Sequence, residues 1–148
     1  MILVDANLLL YAHNPSAPEH VNACQWFERS VNSPDRMGIP WPSILAFVRL
    51  ASNPVVFRQP ATPATAWRIA REWFRRDNVW IPIPGASHGE ILETLLADVH
   101  MTSRLVPDSH LAALAIDHGL TLCSTDGDFA RFAGLRTSLG EHLQTLAR

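Results

Sequence analysis

Short apolar runs that alternate with longer stretches of helical periodicity constrain the fold of this chain most strongly. Four such runs lie at residues 2–4, 37–39, 79–81 and 120–123, and a weaker one lies at 135–137. Short apolar runs are typical of strands that are covered on both faces, and parallel strands require helical connections. The pattern therefore predicts an α/β domain with three layers, in which helices cover both faces of a central, mostly parallel sheet of four or five strands.

Helix boundaries are predicted from capping signals and from the spacing of apolar residues. Ser16 with Glu19 and Ser138 with Glu141 form Ser-x-x-Glu capping boxes, and Thr62 precedes a proline at a first helical position. These signals predict helices at residues 18–31, 43–52, 63–76, 88–100 and 108–118, helical turns at 7–12 and 129–132, and a last helix from Ser138 to the C-terminus. No linker or repeat interrupts the pattern, so we expect a single domain over residues 1–148.

Composition excludes several classes of function. All 12 basic residues are arginine, so every mechanism that requires a lysine is excluded. The formal charge of −2 is not that of a strongly basic nucleic-acid-binding domain, although neutralising a few clustered acids would leave the rest of the chain mildly basic. The longest apolar stretches are far shorter than a membrane span, and no basic leader precedes one at the N-terminus. We therefore expect a cytoplasmic protein that is not bound to a membrane.

Aspartates mark the ends of several predicted elements. Asp5 ends the first apolar run, Asp126 and Asp128 follow the fourth, and Asp108 opens a helical stretch. Because ligands bind at the carboxyl ends of parallel strands, Asp5 and Asp126 are expected to lie close together. For Asp108 the topology predicts the edge of the sheet opposite to the carboxyl ends of the strands. Asp108 would join the other acids only if residues 101–106 brought the start of its helix over the carboxyl edge. Taken singly, each aspartate also has a local explanation as a helix cap or a turn residue.

A cluster of these acids would have a defined chemistry. Neighbouring carboxylates repel one another unless a cation neutralises them, and an all-oxygen set without organised Cys or His ligands favours Mg²⁺ or Mn²⁺. Such a centre suits the hydrolysis of phosphate esters, because a bound metal activates water and neutralises the phosphate. Asn7, Ser124 and Thr125 are candidates for orienting an acid or contacting a phosphate, with local turn bonds as the alternative.

Two other uses of an acidic pocket on such a sheet are excluded. A phosphate-accepting receiver domain needs a lysine that faces the acids, and this chain has no lysine. A phosphatase with an aspartate nucleophile needs a second acid two residues later, and the chain has Asn7 at that position. Both exclusions leave a metal centre as the leading interpretation of the acids.

Four segments together resemble one protein family. They are Leu-Val-Asp-Ala-Asn at residues 3–7, Trp-Pro-Ser-Ile-Leu-Ala-Phe-Val-Arg at 41–49, Pro-Asp-Ser-His-Leu-Ala-Ala-Leu-Ala-Ile-Asp-His-Gly at 107–119, and Ser-Thr-Asp-Gly-Asp-Phe at 124–129. In this order and spacing they are similar to the PIN-domain nucleases, and more narrowly to the VapC-type toxins of bacterial toxin–antitoxin pairs. The resemblance implies a Mg²⁺-dependent or Mn²⁺-dependent endoribonuclease that forms a homodimer and is inhibited by a cognate VapB-type antitoxin.

The resemblance also implies which residues form the site. Asp5, Asp108, Asp126 and Asp128 match the acidic positions of the family and are expected to be catalytic. The first three are expected to bind the metal. RNA is the substrate that the resemblance implies.

One position departs from the family pattern. The family usually has a glutamate three residues before the arginine that is Arg49 here, and this chain has Ala46 at that position. Either the binding of a second metal is affected, or another acid such as Glu90 or Glu93 contributes. A PIN-fold binding module without efficient catalysis is therefore the alternative function.

Arginines lie on one face of the third predicted helix. They are Arg68, Arg71, Arg75 and Arg76. This face could contact RNA phosphates or acidic parts of a protein partner, and a solvated helix face is the alternative. Trp41, which lies between two prolines, is a candidate for a residue at the rim of a site or at an interface.

Overall fold

The computed structural model describes residues 1–139, and these residues form one sheet of five strands. The strands are β1 (Ile2–Val4), β2 (Met37–Gly38), β3 (Val79–Trp80), β4 (Thr121–Ser124) and β5 (Arg136–Leu139). They pair in the order β3-β2-β1-β4-β5, and every pairing is parallel. The predicted α/β architecture is confirmed, and the weakly predicted fifth strand forms one edge of the sheet.

Helices connect the strands throughout the described part of the chain. They are α1 (Ala6–His13), α2 (His20–Val31), α3 (Trp41–Ala51), α4 (Pro63–Trp73), α5 (His88–Leu96) and α6 (Val106–Asp117), with 3₁₀ turns at Ser103–Leu105 and Gly127–Arg131. Within residues 1–139, every helix is too short or too polar to cross a membrane.

Two apolar cores cover the two faces of the sheet. Val4 and Cys123 belong to the core that is built with α1 to α4, whereas Leu3 and Leu122 belong to the core that is built with α5 and α6. Successive strand side chains point to opposite faces, which explains why neighbouring residues enter different cores. The molecule therefore has the three layers that were predicted, with β1 in the middle of the sheet.

The first predicted capping box does not start a helix. α2 begins at His20 rather than at residue 18, and Glu19 precedes it without a side-chain capping bond. Instead two backbone turns follow each other: the Ala17 N–H donates to the Asn14 carbonyl, and the His20 N–H donates to the Ala17 carbonyl. The Ser-x-x-Glu sequence therefore lies in the loop before this helix.

The helices on the other face also differ from their predicted bounds. α5 ends at Leu96 rather than at residue 100, because the Asp98 carboxylate accepts the His100 N–H at 2.7 Å and forms a turn. α6 begins at Val106, so Asp108 lies inside its first turn instead of opening the helix. The second difference bears directly on the acidic site.

The remaining capping signals have different outcomes. Thr62 caps α4 as predicted, since its hydroxyl accepts the Thr65 N–H at 3.1 Å. Ser138 and Leu139 belong to β5, so no helix begins at Ser138. The rest of the predicted C-terminal helix lies outside residues 1–139.

Candidate active site

The strand order reverses at the pair formed by β1 and β4, and Asp5 and Asp126 follow these two strands. Val4 pairs with Cys123, and the Asp5 N–H donates to the Cys123 carbonyl at 3.0 Å. Open parallel sheets bind ligands at such a switch point. The two acids thus lie at one edge of the sheet, as the sequence predicts.

Asp108 lies at this same edge, and the predicted opposite edge is wrong. A helix that leads into a parallel strand runs antiparallel to that strand, so the start of α6 faces the end of β4. Three acids act electrostatically on Asp108 and raise its pKa: Asp126, Asp5 and Asp128. The prediction assumed a mistaken helix direction, and no detour through residues 101–106 is needed.

The Ser124 hydroxyl ties the ends of β1 and β4 together. It donates to Asp5 Oδ2 at 2.7 Å, and it accepts from the Asp126 N–H at 3.0 Å and from Asn7 Nδ2 at 3.1 Å. Only 3% of Ser124 is exposed, so these partners enclose the hydroxyl and leave it closed to a substrate. Asn7 Oδ1 in turn accepts the Thr125 N–H at 3.5 Å. All three predicted supporting residues therefore belong to one hydrogen-bond network around Asp5.

Burial has the largest effect on the pKa of the Asp5 carboxyl. It raises the pKa of the Asp5 carboxyl above the ordinary value of 3.8, and the charge of Asp126 adds to the rise. The Ser124 hydroxyl and the Ala6 N–H, which donates to Asp5 Oδ1 at 2.7 Å, act in the opposite direction. A carboxylate that is largely buried beside a second carboxylate is stabilised by a cation.

Asp108 is the least compensated of the acids. Partial burial is the main reason that its pKa is raised, and among residues 1–139 Arg104 is the one group that lowers it. Within residues 1–139 its carboxylate has no hydrogen bond or ion pair. Asp5 and Asp126 do serve as caps, of α1 and of the 3₁₀ turn Gly127–Arg131 respectively, so their local explanation holds. Asp108 has no such role in the fold, because α6 begins before it.

Asp128 differs from the other acids because two arginines pair with it. Its Oδ2 accepts from Arg104 Nη1 at 2.8 Å, and its Oδ1 lies 3.3 Å from Arg131 Nε. Sequence reasoning missed both arginines. The spacing of three residues between Asp128 and Arg131 could have indicated their pairing on one helical turn. No sequence signal marks Arg104, which comes from the 3₁₀ turn Ser103–Leu105.

Ala46 lies on a helix whose start is attached to the end of β1. The Ser43 hydroxyl, which is buried, donates to the Val4 carbonyl at 2.7 Å and so fixes the first turn of α3 next to the residue before Asp5. The helix that would carry the missing glutamate therefore adjoins the acids. Ala46 leaves this position without a carboxylate.

The two acids proposed as replacements lie on α5. Glu90 and Glu93 are exposed there. Neither of them is among the charges that shift the pKa of Asp5 or of Asp108. Their positions therefore give no support to a compensating role.

The predicted arginine face is exposed but is not joined to the acids. Its members are Arg68, Arg71, Arg75 and Arg76. Arg75 lies beyond the end of α4 and forms an exposed ion pair with Glu72 at 3.2 Å. None of the four is among the charges that shift the pKa of Asp5 or of Asp108. Trp41 is exposed and stacks on Trp67 with the ring centroids 6.1 Å apart.

The donor chemistry of the site fits a hard divalent cation. Asp5, Asp108 and Asp126 offer carboxylate oxygens, the ligand type that Mg²⁺ and Mn²⁺ prefer. Asp108 in particular has no hydrogen bond or ion pair among residues 1–139. In the arrangement of these residues, however, no three His, Cys, Asp or Glu side chains are close enough together to hold a metal ion. The carboxylates therefore have the charge and the donor type for a metal, and binding requires them to move closer together.

A comparison with models of protein families matches residues 2–135 to the PIN domain. The chain belongs to the PIN domain family. The resemblance inferred from the four sequence segments is thereby confirmed. The three-layer domain, with its central sheet, has the PIN fold.

Relatives of this PIN domain are similar over nearly its whole length. Ribonuclease VapC37 of Mycobacterium tuberculosis is 38% identical over 136 residues, which cover 92% of this chain and 94% of VapC37. Ribonuclease VapC33 of the same organism is also 38% identical, over 92% of this chain and 95% of VapC33. A toxin-antitoxin complex from Klebsiella pneumoniae contains a similar chain with a TM-score of 0.60 at 19% identity, covering 91% of this PIN domain and 95% of that chain.

Proposed function

We propose that this PIN domain is a metal-dependent endoribonuclease, the toxin of a toxin–antitoxin pair, which hydrolyses phosphodiester bonds of RNA. The observation that carries the proposal is the electrostatically coupled set Asp5, Asp108 and Asp126 at the switch point of the sheet. The 38% sequence identity to ribonucleases VapC37 and VapC33 supports RNA as the substrate. In this proposal residues 1–148 form one domain, and the protein acts in the cytoplasm.

The proposed roles follow from the contacts of each side chain. Asp5, Asp108 and Asp126 supply oxygen ligands to Mg²⁺, or alternatively to Mn²⁺. A metal held there would supply an activated water molecule and would neutralise charge on the phosphate. Ser124 and Asn7 keep Asp5 oriented through their hydrogen bonds. No protein nucleophile would be required, because the attacking group would be water.

The proposed partners are RNA, a cognate VapB-type antitoxin and a second copy of the chain in a homodimer. The similarity to a chain of a toxin-antitoxin complex supports a protein inhibitor. Arg68, Arg71 and Arg75 are exposed on α4 or just after it. They offer positive charge to RNA phosphates or to acidic residues of the antitoxin.

A PIN-fold binding module with little or no catalysis is the second candidate. Ala46 favours it, because the helix next to Asp5 lacks the glutamate that the family usually has. The two functions differ in their need for metal. A nuclease of this type requires Mg²⁺ or Mn²⁺, whereas a binding module works equally well without either ion.

The direct test is to express the chain alone in a bacterium and to sequence newly formed RNA 5′ ends, with Asp5→Asn as the comparison. New 5′ ends that require the Asp5 carboxylate would support the nuclease. Identical 5′ ends with the two chains would contradict it. If the wild-type chain also binds no Mn²⁺ at millimolar metal, the binding module is the better account.

Metal affinity is expected to depend on pH in a defined direction. The pKa values of Asp5 and Asp108 are raised, chiefly by burial, so protons compete with the metal at a higher pH than for ordinary carboxylates. We expect the affinity for Mn²⁺ to fall as the pH is lowered from neutral, and to begin falling above the usual carboxylate range. Isothermal titration calorimetry over this pH range measures the effect. An affinity that stays constant down to the ordinary aspartate pKa would exclude these two acids as ligands.

Ser124→Ala is expected to reduce RNA cleavage by about 10- to 100-fold, as is typical for residues that orient metal ligands. The substitution removes the hydroxyl that donates to Asp5 and leaves the Asn7 amide and the Asp126 N–H without their acceptor. The cleavage rate and the melting temperature should both fall. Ser52→Ala is the matched control, because in the part of the chain that the structure describes the Ser52 hydroxyl donates only to carbonyls of α3. Wild-type cleavage by Ser124→Ala would show that the network does not serve the reaction.

A further inference from the structure

Asp128 stands apart from the other acids because its charge is already compensated. Both of its carboxylate oxygens face guanidinium groups, Oδ2 that of Arg104 at 2.8 Å and Oδ1 that of Arg131 at 3.3 Å. Its side chain is 20% exposed, so water screens these contacts only partly. Of the four acids, Asp128 is therefore the one with least to gain from a metal ion.

The absence of a glutamate at Ala46 points in the same direction. A second metal ion beside the first would need carboxylates in addition to Asp5, Asp108 and Asp126. The chain has no carboxylate at Ala46, and the carboxylate of Asp128 is held by arginines. The site thus offers three uncompensated carboxylates, at most enough for one cation once they move closer together, and lacks the ligands for another.

Arg104 places a positive charge beside the acids whose negative charge a second cation would neutralise. Its charge acts on Asp126 and Asp108 as well as on Asp128. It comes from the 3₁₀ turn directly before α6, the helix that carries Asp108. The side chain is 68% exposed, and its one hydrogen bond within residues 1–139 goes to Asp128. A guanidinium has five N–H donors, so most of those on Arg104 face solvent at the acidic edge.

We propose that Arg104 binds the scissile phosphate of the RNA substrate in place of a second metal ion, and that Asp128 positions Arg104 for this contact. The inference rests on the proposed ribonuclease function. A guanidinium suits the task because it binds two phosphate oxygens at once and keeps its charge at any physiological pH. Asp128 acts through Arg104 and is a positioning residue rather than a metal ligand.

Arg131 is the other partner of Asp128, but its geometry suits a supporting role. It lies three residues after Asp128, on the same 3₁₀ turn, and its contact is the longer of the two. It also lines a cleft of about 430 Å³ together with Met101 and Phe132. Arg104, in contrast, belongs to a separate segment and interacts electrostatically with Asp126 after β4 and with Asp108 in the first turn of α6, as well as with Asp128.

RNA affinity in the absence of metal tests the contact directly. The probe is a fluorescein-labelled single-stranded RNA of mixed sequence, and binding is followed by anisotropy in EDTA. Arg104→Ala should weaken binding by about tenfold, the scale of one charged hydrogen bond. The slope of log affinity against log salt should fall by about 0.7, as expected for one lost phosphate contact on a single strand. Arg104→Lys should retain the slope, and Arg29→Ala, an exposed arginine of α2, should match the wild-type chain.

The affinity for metal should change in the opposite direction to the affinity for RNA. Removing Arg104 frees Asp128, so Arg104→Ala should bind Mn²⁺ more tightly in calorimetry while it binds RNA more weakly. General damage to the fold would weaken both. Asp128→Asn should leave Mn²⁺ binding close to that of the wild-type chain and weaken RNA binding, whereas Asp126→Asn should lose Mn²⁺ binding.

The outcomes separate this inference from the proposed function. If the wild-type chain neither binds nor cleaves RNA, the ribonuclease function itself fails. If the wild-type chain cleaves RNA and Arg104→Ala equals it in RNA affinity and salt slope, only the role of Arg104 is overturned. Two Mn²⁺ ions bound per wild-type chain would also overturn it, because a second metal would then occupy the place assigned to the guanidinium.

Discussion

Asp5→Asn is expected to lower the rate of RNA cleavage by at least about a thousandfold, to the level of background hydrolysis. The substitution removes the negative charge that we propose as a metal ligand, while keeping the size of the side chain. The amide oxygen of Asn can still accept the Ala6 N–H, which the carboxylate accepts at 2.7 Å, so the cap of α1 is preserved. Loss of activity in a folded chain would therefore report on chemistry rather than on folding.

The same substitution is expected to stabilise the metal-free chain near neutral pH. Burial raises the pKa of Asp5 above 3.8, so at neutral pH the ionised carboxylate costs more free energy in the folded chain than in the unfolded chain. Below 3.8 the carboxyl is protonated in both states and the cost disappears. The gain in unfolding free energy from Asp5→Asn should thus be largest at neutral pH, and should shrink as the pH falls through the raised pKa towards 3.8.

Cleavage assays with Mg²⁺ and denaturant unfolding in EDTA measure the two effects separately. Asp35→Asn is a suitable control, because Asp35 is exposed in a loop and its carboxylate should change neither quantity. In Mg²⁺ the order of stability should reverse, since only the wild-type chain gains free energy from the bound ion. Undiminished cleavage by Asp5→Asn would place the reaction elsewhere in the molecule.

Asp108→Asn should cause a loss of cleavage similar to that of Asp5→Asn, about a thousandfold or more, and should not weaken the fold. Its carboxylate has no hydrogen bond or ion pair within residues 1–139, and α6 begins without it. Burial and the neighbouring acids raise the pKa of Asp108, so removing its charge relieves repulsion in the metal-free chain. Calorimetry should show that Mn²⁺ binding is lost together with cleavage.

Asp77→Asn, at an exposed aspartate before β3, provides the comparison for Asp108→Asn. The melting temperature of Asp108→Asn in EDTA should equal or exceed that of the control. A clear fall instead would mean that Asp108 serves the fold, which would leave Asp5 and Asp126 as the remaining candidates for the metal.

The elements of this fold can be predicted where local chemistry decides them. β1 and β4 are short apolar runs, and Thr62 caps α4 with its own hydroxyl. Prediction fails where the surroundings decide. Val99 fits the apolar spacing of α5, but it is 89% exposed and lies beyond the end of the helix. The spacing of apolar residues does not show whether a side chain such as that of Val99 has a core to pack against.

The part of the site that lies at strand ends could be predicted from the sequence. Asp5 and Asp126 follow apolar runs, and parallel strands bring such ends together. Topology alone placed Asp108 at the opposite edge because the direction of its helix was mistaken, whereas the family resemblance placed it with the other acids. The pairing of Arg104 with Asp128 joins two segments that are 24 residues apart, and only the folded chain shows that they meet.

The parallel pairing of β1 with β4 has a consequence for the timing of synthesis. Asp5 and Ser124 share a hydrogen bond although they are 119 residues apart in the chain. Ribosomes add about 5–20 residues per second, so roughly 6–24 s pass between the translation of the two. During that interval the nascent chain carries one half of its acidic edge and lacks the other. The proposed metal site therefore cannot be complete until translation of the sheet is nearly finished.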